Sequence, residues 1–268
     1  MKAKILLLAN DWPGVQVAKI LRACGDTIVR LYLHELAGQK SATELVSESG
    51  LPMEAVFTAD CLKDPVHIDN LRACEFDWLI TVYWAHLLKP EIFQLARRGT
   101  VNFHPAPLPI NRGWYPHVHS ILDGSPIGVT LHRIDASADS GPVWAQEILK
   151  LRPDETAKQV YDRLQRNIVD LFAKKWPEIR ELKISPTPQA GLGCYHKKDE
   201  IAHLDHIDLD KPTTARAVIN LLRARSFGSR GFACYSMDGK RYYVRIQINE
   251  TGQFSSGPPA NQPSCHPH

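Results

Sequence analysis

Residues 3–14 read AKILLLANDWPG. The short apolar run reads as a buried parallel strand, and Asn10, Asp11, Pro13 and Gly14 read as the loop that ends it. The same kind of run recurs as TIVRLYL at 27–33, AVF at 55–57, WLITVY at 78–83 and TVNF at 100–103. Helical periodicity fills the gaps, at about 15–24, 40–50, 65–73 and 90–97. In the first of these, Val15, Ala18, Ile20 and Leu21 supply most of an apolar face. Strands alternating with short helices predict an α/β fold, a Rossmann-like, mostly parallel sheet with helices on both faces. Such sheets bind ligands beyond the carboxyl ends of their strands. The loops 10–14, 83–88 and 104–113 are therefore expected to share one crevice. Gly14 stands alone and no G-x-G-x-x-G follows the first strand, which argues against NAD or FAD binding.

Further along, 114–123 reads as a helix, 126–134 and 141–149 as strands, and 156–176 as a long amphipathic helix. Its Val160, Leu164, Ile168 and Leu171 form a core face. Composition shifts at Pro186-Thr187-Pro188 and Gly191-Leu192-Gly193, read as a linker crossing the surface. After the polar 195–210 segment, 212–225 is expected to be a helix with Ala217, Val218, Leu221 and Leu222 on one side. Residues 231–248 are expected to form a hairpin turning at Asp238-Gly239, a type I′ signal. The expected division is a catalytic domain over 1–185, a small C-terminal helix and β-hairpin region over 186–249, and a disordered tail over 250–268. No internal repeat is found.

Composition narrows the function. A hydrophobic share of 44% and a charged share of 23% are those of an ordinary globule. A net charge of +3 is too weak to predict nucleic-acid binding. The cysteines at 24, 61, 74, 194, 234 and 265 include no Cys-x-x-Cys pair and no zinc-like pattern, so reduced thiols are expected and no metal. The N-terminal apolar run is interrupted too soon for a signal peptide, and no run approaches the roughly 20 apolar residues of a membrane span. The expected location is cytoplasmic, with no membrane partner.

The chemistry concentrates in 101–141, VNFHPAPLPINRGWYPHVHSILDGSPIGVTLHRIDASADSG. Prolines at 105, 107 and 109 deny the loop a helix and stiffen it. A carboxamide (Asn102), an imidazole (His104) and a carboxylate (Asp139) suit acyl transfer to an amine. An amide N–H and a protonated histidine can stabilise an oxyanion, the histidine can also move protons, and a carboxylate can raise the imidazole pKa and orient the ring. Spacing alone equally allows a structural loop at Asn102-x-His104 and a turn at Asp139.

The pattern Asn102, His104-Pro105, Leu108-Pro109, Arg112-Gly113, Pro116, Gly128-Val129-Thr130, His132, Asp139, Gly141 resembles that of the 10-formyltetrahydrofolate-dependent formyltransferases. That family includes glycinamide ribonucleotide formyltransferase, methionyl-tRNA formyltransferase and the sugar-nucleotide N-formyltransferases. The resemblance covers about residues 3–180. It implies 10-formyltetrahydrofolate as formyl donor, no metal, and Asn102, His104 and Asp139 as the catalytic trio. It also implies a folate cleft at Trp84, His86, Leu87, Leu88, Asp135 and Asp139. Ala138 and Ser140 depart mildly from the pattern, replacing a larger apolar residue and the more usual Thr.

Three features resemble the sugar-nucleotide branch: the C-terminal segment around 209–227 with its hairpin, the aromatic pair Tyr83-Trp84, and a chain that ends before a β-barrel of the tRNA enzyme's kind. The resemblance thus implies a nucleotide-linked amino sugar as acceptor, no nucleic acid, and a homodimer through the C-terminal hairpin. Tyr83, Arg112, Gly113, Trp114, Arg223 and Arg225 are the expected acceptor contacts. Arg223 and Arg225 equally suit a helix C-terminus. His132 reads as a hydrogen-bonded structural histidine. The rivals are a methionyl-tRNA formyltransferase-like enzyme and a non-catalytic folate or nucleotide sensor.

Overall fold

The structure is a computed structural model and describes residues 2–34 and 41–249. The expectation of a disordered 250–268 tail lies outside the described residues. The first half alternates as the sequence predicts: β1 (Lys4–Ala9), α1 (Asp11–Ala23), β2 (Thr27–Leu33), α2 (Ala42–Ser49), β3 (Val56–Thr58), α3 (Pro65–Arg72), β4 (Trp78–Val82), α4 (Pro90–Phe93) and β5 (Gly99–His104). Then come β6 (Arg112–Gly113), α5 (Pro116–Asp123), β7 (Ile127–His132), β8 (Val143–Leu149) and α6 (Ala157–Arg180). The C-terminal part adds β9 (Tyr195–His196), α7 (Ala215–Ala224), β10 (Ser226–Phe227), β11 (Arg230–Gly231), β12 (Ala233–Met237) and β13 (Lys240–Val244).

Seven strands form one sheet in the order β3-β2-β1-β4-β5-β7-β8. The pairs from β3 to β5 are parallel, and β7 and β8 join antiparallel. Both faces are covered, so β1 is apolar on both sides. Ile5, Leu7 and Ala9 face a core shared with α1, α2, α5 and α6; Leu6 and Leu8 face a second core with Leu62, Leu71 and Ile92. The first core is anchored by Trp78, Trp144 and Trp176, whose rings meet edge to face.

Several boundaries differ from expectation, four of them with consequences for the site and its surroundings. Residues 11–14 are the first turn of α1 rather than a loop, because proline is tolerated at a helix start, where its missing N–H has no partner to lose. Helix α4 is a single turn. Helix α5 begins at Pro116, since Tyr115 takes a left-handed conformation just before it. The 186–196 segment is a strap bonded to β6 and β8. Thr187 bridges Val143, and Tyr195–His196 pairs in parallel with Arg112–Gly113. The hairpin turns at Asp238-Gly239, both with positive φ as a type I′ turn requires. Its two strands form a separate sheet.

Candidate active site

The carboxyl ends of β4 and β5 open into a cleft of about 500 Å³. Cross-strand register builds its floor: Thr81 on β4 sits opposite Asn102 on β5, and Asn102 sits opposite His132 on β7. The Thr81 hydroxyl donates to Asn102 Oδ1 at 2.5 Å, which turns the amide N–H₂ toward His132 Nε2 (2.8 Å) and Asp139 Oδ1 (3.2 Å). His132 Nδ1 donates to the Arg133 carbonyl at 2.7 Å, so its Nε2 is the acceptor for Asn102. His132 is thus hydrogen-bonded as expected and also belongs to the site.

His104 lies buried beside them. Its Nε2 is 2.9 Å from the Asn111 carbonyl oxygen and its Nδ1 is 3.4 Å from Asp139 Oδ2. Asp139 also accepts from the Gly113 N–H at 3.0 Å. Asp139 holds a left-handed backbone conformation, and Gly141 approaches the Arg133 carbonyl so closely that a Cβ would collide with it. The two glycines of the motif therefore place the carboxylate. Burial alone would raise the Asp139 pKa, but His104, His132 and the Gly113 N–H outweigh it and hold the carboxyl well below its usual range. The expected protonated His104 is not the resting form: burial outweighs the pull of Asp139 and lowers its pKa. The resting pair is an ionised Asp139 beside a neutral His104.

The cleft divides along the sheet. Trp84, Leu88 and Ile134 pack on the α3/α4 side, whereas the adjacent Tyr83 packs on the α5/α6 side with Tyr115. His86, Leu87, Asp135 and Asp139 also line it, so all the residues expected for folate meet here. Of the expected acceptor contacts, Tyr83, Gly113 and Trp114 line the cleft. Three do not. Arg112 is not among the lining residues, and its backbone N–H donates to the Cys194 carbonyl. Arg223 is buried, with Nε and a terminal nitrogen donating to the Glu155 and Arg152 carbonyls. Arg225 is buried in a two-point pair with Asp205. Arg223 ties α7 to the segment before α6, Arg225 is paired within the C-terminal region, and neither lines the cleft. The 10–14 segment also stays outside the cleft; Asn10 supports it by donating to the Tyr83 carbonyl at 3.2 Å.

His117 and Tyr161 line the cleft and were not singled out from the sequence as acceptor contacts. Burial pushes the His117 pKa down to about 3, and its Nδ1 and the Tyr83 hydroxyl lack a hydrogen-bond partner among the described residues. Their signal is invisible in spacing because α5 and α6 meet β4 only in the fold. Elsewhere, His119, His196 and Glu200 bring ligand-capable atoms within 4.8 Å of one another. The two imidazoles stack in parallel, 3.5 Å between centroids, so their in-plane lone pairs run side by side rather than converging on one ion.

Comparison with known proteins agrees with this geometry. Over 149 residues the chain is 33% identical to the dTDP-4-amino-4,6-dideoxyglucose formyltransferase of Mycobacterium tuberculosis, covering 55% of this chain and 64% of that relative. A 4-N formyltransferase from Francisella tularensis shares the fold, with a TM-score of 0.79 at 23% identity over 93% of this chain and 99% of that one. A formyltransferase from Anoxybacillus kamchatkensis, solved with UDP-4,6-dideoxy-4-formamido-L-AltNAc and tetrahydrofolate, matches at 26% identity and a TM-score of 0.54, over 74% of this chain and 87% of that one. Residues 200–250 match the N-formyltransferase dimerization C-terminal domain. Residues 29–174, more than half of the 268-residue chain, match the formyl transferase family model, and the protein belongs to that family.

Proposed function

We propose that this chain transfers a formyl group from 10-formyltetrahydrofolate to the amine of a nucleotide-linked amino sugar. The observation that carries the reading is the meeting of Asn102, His104 and Asp139 on the cleft floor, with a neutral imidazole beside an ionised carboxylate. Support for the acceptor comes from the relatives: one is named for a dTDP-linked amino sugar, and another was solved with a UDP-linked formamido sugar.

The cleft fits a folate. Trp84, Leu88 and Ile134 offer apolar lining, Asp135, Ser137 and Asp139 bring polar residues to the same cleft, and the buried Trp84 indole N–H has no partner among the described residues. When bound, 10-formyltetrahydrofolate supplies the activated one-carbon unit. Asn102, its Oδ1 pinned by Thr81, presents N–H hydrogens to the oxygen that gathers charge as the amine adds; the longer contact to Asp139 is the one exchanged. His104 takes the amine proton at Nδ1, the nitrogen that faces Asp139, and hands it to the donor's leaving nitrogen as the bond from that nitrogen to the formyl carbon breaks. Asp139 stabilises the imidazolium so formed and fixes its orientation. The acceptor lies on the Tyr83, Trp114 and His117 side, opposite Trp84.

We further propose a homodimer through the C-terminal region, supported by the dimerization-domain match and by apolar residues left exposed there. The deciding experiment mixes purified protein and 10-formyltetrahydrofolate with a panel of nucleotide-linked amino sugars and, separately, with methionyl-tRNA. Mass spectrometry should detect one added formyl group on at least one sugar. Formylation of the tRNA alone, or of nothing while folate binds, would overturn the acceptor assignment.

A further inference from the structure

Asn111 is fully buried under the trio and sits at positive φ, a conformation asparagine tolerates better than most residues. Its carbonyl oxygen faces His104 Nε2 at 2.9 Å. Its amide Nδ2 donates to Ser120 Oγ at 2.8 Å and Ser125 Oγ at 3.1 Å, with the Pro116 carbonyl at 3.4 Å. That leaves Asn111 Oδ1 as an acceptor, and two strap residues donate to it: His196 Nε2 at 3.0 Å and the Cys194 thiol at 3.2 Å. The thiol is the weak donor of the two. The strap is seated closely. Arg112 and Trp114 N–H groups donate to the Cys194 and His196 carbonyls, and a Cβ on Gly193 would come within 2.6 Å of the Pro109 carbonyl oxygen. His196 itself is held by its stack on His119 and by Glu200, 3.4 Å from its Nδ1.

A carbonyl oxygen only accepts, so the Asn111 carbonyl requires a hydrogen on His104 Nε2. A neutral His104 then has its lone pair on Nδ1, the nitrogen beside Asp139. The opposite tautomer would put the hydrogen on Nδ1 and leave no proton acceptor there. We propose that His196 is a positioning residue for His104: through Asn111 it fixes the tautomer that keeps Nδ1 free to accept the amine proton. The inference rests on the reading of His104 as the proton acceptor. It concerns a residue in the strap between the two family-matched segments, 29–174 and 200–250.

The test compares His196→Ala with His196→Gln, whose amide N–H₂ can reach Asn111 Oδ1 in place of the imidazole N–H. Histidine ¹⁵N spectra of the full-length protein report the His104 tautomer directly, and steady-state kinetics report kcat and KM separately. Wild type should show hydrogen on Nε2. His196→Ala should populate the Nδ1–H form and lower kcat about tenfold or more at nearly unchanged KM for the formyl donor, and His196→Gln should restore both. An Nε2–H tautomer persisting in His196→Ala, or a His196→Gln no better than Ala at equal thermal stability, would overturn the proposal. The spectra judge the tautomer independently of turnover: a shifted tautomer with full kcat would count instead against His104 as the proton acceptor.

Discussion

The Thr81 hydroxyl decides which way Asn102 points. Without it, Oδ1 has no donor on the β4 side, and the amide is free to turn its oxygen toward the cleft. Thr81→Val keeps the strand and its volume, so it should lower kcat by roughly ten- to a hundredfold, less than the loss of the amide itself. Asn102→Ala should cost about 10²–10³ in kcat and His104→Ala about 10²–10⁴, each with the fold intact by thermal melting. Asp139→Ala should also reduce turnover by orders of magnitude, since it removes both the imidazolium's partner and the acceptor for Gly113 N–H. A His104→Ala variant with full activity would sink the mechanism. Burial gives the acid limb of kcat/KM a direction. The lowered His104 pKa keeps the base neutral at pH 7, so activity should hold until the pH drops beneath the ordinary histidine value and then fall as Nδ1 is protonated. The same shift has a stability consequence. The unfolded imidazole protonates first, so the contribution of neutral His104 is fully present above about pH 6.5 and is lost as pH falls toward the folded pKa.

Among the elements, the junction of β2 with α6 rests on Asp26. Its buried carboxylate accepts from the Ala3 N–H (2.9 Å), the Trp176 indole (2.7 Å) and Arg180 (2.9 Å). Asp26→Ala would strand the indole N–H and the guanidinium at once and should cost about 3–5 kcal/mol, read as a lower denaturant midpoint; a loss under 1 kcal/mol would contradict this account. That tie links residues about 150 positions apart, and nothing in local pattern announces it. What the sequence does announce is periodicity. Apolar runs at β1, β2 and β4 and the 3.6-residue face of α6 were legible because burial imposes them locally. Punctuation was misleading at 11–14, where Pro13 and Gly14 read as a loop and instead start α1. Arg223 and Arg225 misled for a similar reason: a cation at a helix end has several satisfying partners, and here main-chain carbonyls and Asp205 are the ones in reach. The trio was legible through its resemblance to a family, not through spacing. Thr81, Asn111 and His196 were not legible, because their roles arise from strand register and from a contact spanning 85 positions.

At the scale of the whole molecule, the C-terminal region is bound to the catalytic part yet leaves apolar surface uncovered. The face expected on α7 is only partly buried, and Ile219, Phe232, Met237 and Tyr243 are exposed, Tyr243 to 66%. These exposed apolar residues lie in the segment that matches a dimerization domain, which fits a protein partner. The homodimer proposed above would supply that partner, with one self-complementary patch as twofold symmetry requires. Arg223 anchors α7 to the Arg152 and Glu155 carbonyls, so such a dimer would hold both clefts on a rigid base. None of these four apolar residues lines the cleft. Size-exclusion chromatography with light scattering should therefore find the wild-type protein at twice its 30.2 kDa chain mass. The double variant Ile219→Asp/Tyr243→Asp should run as a monomer, because two buried charges per side cost more than a modest interface supplies. Since the trio and its strap belong to one chain, the monomer should still transfer formyl groups at a kcat within about threefold of the dimer. A wild-type monomer, or a double variant that remains dimeric, would show that this surface serves something else. A monomer that is folded but inactive would mean that the partner chain completes the acceptor site.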